Sequence, residues 1–111
     1  MASNLDYRKI VKDILLDYAK LKPAYGDIET RVIFDDERGS YVVMQVGWDG
    51  PTHVHGSVIH VEVIGDKIWI QYDGTETGIA HDLVDAGIPP EHIVLGFRPE
   101  KLRAYTGFAV K

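Results

Sequence analysis

At 111 residues, with 45% hydrophobic and 26% charged side chains, the chain has the make-up of one globular domain, which excludes disordered, collagen-like and coiled-coil classes. Twelve Lys and Arg against seventeen Asp and Glu leave a formal charge of −5, and that opposes loose binding to a phosphate backbone, which is driven by cations displacing counterions. The absence of cysteine removes thiol catalysis, a disulfide framework and thiolate metal sites, and no apolar run reaches the ~20 residues of a membrane span.

The opening segment, MASNLDYRKIVKDILLDYAK, is charged throughout and lacks the apolar core of a signal peptide, so a cytoplasmic location is the expectation. Behind the capping residues Ser3 and Asn4, apolar side chains at Tyr7, Ile10, Val11, Ile14, Leu15, Tyr18 and Leu21 recur every three or four residues. This predicts an amphipathic helix from about residue 4 to 21, ended by Pro23 and Gly26. From Ile28 to Asp35 the apolar Ile28, Val32 and Phe34 alternate with polar residues as in a strand, and D-D-E-R-G-S reads as a hairpin turn.

Three β-patterned segments follow with only turn residues between them, which forces an antiparallel meander. In YVVMQVGW the larger apolar set, Val42, Met44, Val46 and Trp48, is the expected core face, which sends Tyr41, Val43 and Gln45 to the other side. Asp49-Gly50-Pro51 turns the chain. Next, Ile59, Val61 and Val63 oppose Val58, His60 and Glu62, and Gly65-Asp66 closes a tight hairpin. There Ile68, Ile70 and Tyr72 alternate with Trp69 and Gln71.

A second helix is expected over Thr75 to Ala86, with Thr75 or Thr77 as its cap and Ile79, Ala80, Leu83 and Val84 as its apolar stripe. Gly87, Ile88 and Pro89-Pro90 form a stop signal, and Ile93, Val94, Leu95 and Phe97 then form a short strand-like run ended by Pro99. The remaining EKLRAYTGFAVK holds a further helical turn and a last extended piece. The order α-β-β-β-β-α-β across a single domain, residues 1–111, predicts an α+β fold: a mainly antiparallel sheet of about five strands with two principal helices on one face.

Few residues form a recognisable chemical constellation. His53 and His55 would share a strand face, whereas His60, an odd number of steps from both, points to the opposite one. Even with Asp49 the pair falls short of the three or four ligands of a zinc site, so no metal is expected. His81 and His92 read as exposed polar residues. Asp73, Glu76 and His81 are near neighbours at the start of the second helix and supply the alternative reading, a small ligand-binding domain or acid–base enzyme. The simpler account is that acidic residues favour a first helical turn. The G-T-E-T-G segment lacks the spacing and lysine of a P-loop, and neither G-x-S-x-G nor H-E-x-x-H occurs.

Arg98, Lys101, Arg103 and Lys111 gather near Tyr105 and Phe108, candidates to grip a phosphate or an acidic partner, although solvated charge is the ordinary role of such a group. Direct nucleic-acid binding is not expected. The alternation leaves Tyr41, Gln45, His60, Trp69 and Gln71 on the second sheet face, and tryptophan and tyrosine are enriched at protein interfaces. These five are the interface candidates. An uncovered face of this kind also leads to the expectation of a homo-oligomer, most simply a two-fold dimer.

The runs G-W-D (47–49), H-G-S-V-I-H (55–60), K-I-W-I-Q-Y-D-G-T-E (67–76) and L-V-D-A-G-I-P-P-E-H-I-V-L-G-F (83–97) closely resemble the XisI family, the fdxN-element excision controlling factors found chiefly in cyanobacteria. The similarity extends from Y-R-K-I-V-K-D-I-L-L-D-Y-A to Y-T-G-F-A-V. Ser57 stands where relatives often carry cysteine, and Arg98 where histidine is common. The resemblance implies a non-enzymatic accessory protein that acts beside XisH, a nuclease-like protein usually encoded next to it, and a site-specific recombinase in programmed DNA excision. It implies no catalytic residues and no cofactor.

Overall fold

Tyr7, Val11 and Leu15 recur at four-residue steps and so stand above one another on helix α1 (Asn4–Leu21), each exposed by 2% or less. The computed structural model describes residues 4–21 and 27–111; Ser3, Pro23 and Gly26, to which the sequence assigns the helix ends, lie outside them. The apolar side of α1 packs on a five-stranded sheet ordered β1 (Asp27–Asp35), β2 (Ser40–Asp49), β3 (Thr52–Ile64), β4 (Lys67–Asp73) and β5 (Ile93–Leu95). The first three pairings are antiparallel, joined by the expected hairpins, and β4–β5 is parallel. Helix α2 (Ala80–Asp85) lies in the crossover that a parallel pairing requires, and α3 (Glu100–Arg103) begins the C-terminal arm. The fold is α+β, as the pattern predicts.

The core lies between sheet and helices. Tyr41, Val43, Ile59, Val61, Val63, Ile68 and Ile70 line the covered face, and Leu83, Ile88 and Ile93 close it beside α2. Gly87 (φ 103°) ends α2 with its N–H on the Val84 carbonyl at 2.9 Å, while the Ile88 N–H returns to Leu83 at 3.1 Å. This paired closure lets Ile88 fold back into the core.

Three expectations are corrected. The covered face of β2 carries Tyr41 and Val43, both wholly buried, rather than Val42, Met44, Val46 and Trp48. Counting apolar residues misleads here because both faces are apolar.

Second, β3 gains a residue: Val43 pairs with Ile59 but Met44 pairs with Ser57, leaving Val58 without an opposite. His53, His55 and His60 oppose Trp48, Val46 and Val42, which alternate regularly along β2, so all three histidines share a face. An extra residue in β4 acts likewise, since His60 pairs with Tyr72 and Val61 with Ile70, and Tyr72 turns away from Ile68 and Ile70. Third, α2 starts at Ala80, and neither Thr75 nor Thr77 caps it. Residues 74–79 form a loop held by Asp73 instead.

Candidate partner-binding face

The face of the sheet opposite α1 presents a large apolar side chain from each of four consecutive strands. Ile33 on β1 is 56% exposed, Trp48 on β2 52%, Ile64 on β3 51% and Tyr72 on β4 49%. Val42, Met44 and Val46 are half-buried between them. Large exposed apolar patches are uncommon on soluble monomers and frequent at sites of contact. Its polar members are partnered: Arg31 pairs with Glu29 at 2.8 Å, His60 Nε2 lies 3.0 Å from Ser40 Oγ, and Gln71 Nε2 donates to Glu62 Oε1 at 3.0 Å. At the far end of the β2–β3 hairpin, the Trp48 ring lies 4.7 Å from that of His53, which stacks on His55 at 6.3 Å.

The C-terminal arm covers the β4–β5 end of this face. The Arg103 guanidinium lies over the Trp69 ring at 5.2 Å while its Nε and Nη1 donate to the carbonyls of Arg98 and Val110. Lys67 donates to the Lys111 carbonyl at 2.6 Å, and Ala109 bridges to Val94. Arg103 therefore clasps the arm to the sheet rather than standing free for phosphate. Arg98 stacks on Phe97 at 5.4 Å and Lys101 is exposed, so the three expected cations do not converge on one ligand.

Of the five interface candidates, His60, Trp69 and Gln71 belong to the open face, with Trp69 half-buried beneath Arg103. Tyr41 and Gln45 belong to the covered side. The Tyr41 hydroxyl donates to Asp36 Oδ1 at 2.8 Å, and Lys12 donates to the other oxygen at 2.9 Å. Burial, with the hydrogen bond to Asp36, pushes the Tyr41 phenol up to about 12. The Lys12 and Tyr41 hydrogen bonds hold the Asp36 carboxyl below its ordinary value.

Asp73, Glu76 and His81 share no hydrogen bond or ion pair with one another. One Asp73 oxygen accepts from the Thr75 N–H and hydroxyl, the other from the Ile79 N–H at 2.7 Å, while Glu76 and His81 are exposed. His92, expected to be exposed, is half-buried with its Nδ1 2.6 Å from the Tyr7 hydroxyl. The signal for that pair was Tyr7 itself, because a tyrosine on a core stripe requires a hydrogen-bond partner. Among the described residues no three His, Asp or Glu side chains gather as metal ligands, and no helix is long and apolar enough to cross a membrane.

The sequence profile described as XisI protein matches residues 1–110. A solved XisI-like protein from Anabaena variabilis ATCC 29413 superposes with a TM-score of 0.93 at 37% identity, over 98% of this chain and all of the other. The fdxN element excision controlling factor XisI from the same organism superposes with a TM-score of 0.86 at 32% identity, over 97% and 98% of the two chains. No curated protein matches.

Proposed function

The chain belongs to the XisI family, and on that premise we propose that it is a non-enzymatic accessory protein acting through a XisH-like nuclease-fold partner and a site-specific recombinase in programmed excision of a DNA element. The observation that carries this reading is the open sheet face: Ile33, Trp48, Ile64 and Tyr72 stand about half-exposed, one on each of the strands β1 to β4, and exposed apolar surface of this kind supports a contact role. Of the three acid–base candidates, Asp73 is held by its own loop, and Glu76 and His81 are exposed without a hydrogen bond to it. A formal charge of −5 suits a protein that reaches DNA through a basic partner rather than directly.

Co-purification with the product of the neighbouring gene is the direct test. The complex is expected with the native chain and is expected to be lost, with the fold intact by circular dichroism, when Ile33→Asp and Tyr72→Ser are combined. Repeated failure of the native chain to retain that product would remove the reading, and retention by the double variant would move the contact off this face.

A further inference from the structure

The sheet of this molecule ends in three edges, and each is finished differently. The outer edge strand β1 carries Asp27, Glu29, Arg31 and Asp35 at alternate positions, the charges by which proteins blunt an edge. The β5 edge is occupied by the C-terminal arm, whose Ala109 N–H donates to the Ile93 carbonyl at 2.8 Å. A third edge arises because β3 outruns its neighbour: β4 pairs only with Ile59–Ile64, so 52–57 has β2 on one side and, among the described residues, no strand on the other. Its sequence, T-H-V-H-G-S, contains no Lys, Arg, Asp, Glu or Pro. All of it except Val54 is exposed. Six residues of extended backbone expose about 20 Å of unpaired hydrogen-bonding groups, a template for another strand.

We propose that this edge pairs antiparallel with the same edge of a second copy, continuing the sheet across a two-fold axis. An antiparallel pairing of a segment with itself is two-fold by construction, so one sequence supplies both halves of the interface. The segment is also a charge-free stretch in a chain of formal charge −5, a place where two acidic molecules meet without opposing like charges. Trp48 stands beside it on β2 and, with His53 and His55 of the segment itself, adds ring surface on one face of the joined sheet. A six-residue edge is a small contact beside specific interfaces, which typically bury ~1,200–2,000 Å² in total, so the dimer is expected to be weak, with a dissociation constant of about 10–100 μM. The inference is independent of the XisH-like partner, because the edge lies beside the open face and needs no second protein.

Sedimentation velocity on the native chain from ~5 to ~500 μM, a range that brackets that constant, should show a concentration-dependent dimer. Because the chain has no cysteine, single cysteines placed in turn at His53, His55 and Ser57 report the contact directly. Under mild oxidation at least one, nearest the axis, should cross-link the dimer far above the level of Glu29→Cys on the guarded β1 edge. A native chain that stays monomeric throughout overturns the proposal. So does a dimer that none of the three cysteines captures above that control.

Discussion

A methyl group on Gly47 would overlap the Asp27 carbonyl oxygen and come within 2.8 Å of the Ile28 Cα, and the backbone there sits at φ 151°. Both obstacles are backbone and neither can yield cheaply, which gives a physical reason for glycine in the G-W-D run. Gly47→Ala is expected to cost about 2–4 kcal/mol and to loosen the start of β1, read by urea unfolding and amide exchange over 27–30. Native-like stability would contradict the close approach. Tyr41 makes a second single-residue prediction. Its phenol titrates higher in the folded state than in the unfolded one, so its contribution is complete below about pH 10 and is lost as pH rises toward about 12. Tyr41→Phe should lower stability at pH 7 by about 1 kcal/mol through loss of the Asp36 hydrogen bond. It should also flatten the alkaline decline, which unfolding curves between pH 8 and 11 would reveal.

At the scale of elements, the loop between β4 and α2 is organised by one carboxylate. Asp73→Ala removes its bonds to Thr75 and Ile79 and should cost about 2–3 kcal/mol, whereas Glu76→Ala and His81→Ala should each stay within about 0.5 kcal/mol. Thermal melts of the three variants decide it; equal losses would mean that the group acts as a unit after all. Helix α1, the four-strand meander, its turns and the Gly87 stop were legible because each rests on a period or a turn residue near in sequence. The faces were less legible. The extra residues at Val58 and Gln71 carry no sequence mark, and each reverses the parity that places every side chain beyond it. His53 and His55 were therefore set on the face opposite His60, Tyr72 on the face of Ile68 and Ile70, and Tyr41 away from the core because the open face of β2 is as apolar as its covered one. The Arg103–Trp69 clasp spans 34 residues of sequence and belongs to no local pattern.

At the scale of the whole molecule, extents of 45 × 29 × 24 Å describe an elongated sheet with its helical layer on one side. Each of β1 to β4 pairs with the strand next to it in sequence, whereas α1 rests on strands that follow it and β5 joins only after a crossover. That wiring has a consequence in time. Neighbouring hairpins close small loops and can form first, while docking of α1 must await a surface on which to dock. Val61, which faces Tyr41 on β2 and Ile70 on β4, should belong to the nucleus, and Leu15 on α1 should settle after the barrier. In stopped-flow experiments Val61→Ala should slow refolding, and Leu15→Ala should leave refolding nearly unchanged while accelerating unfolding. The reverse pattern would mean that the first helix of the chain organises the sheet, and that the meander waits for it.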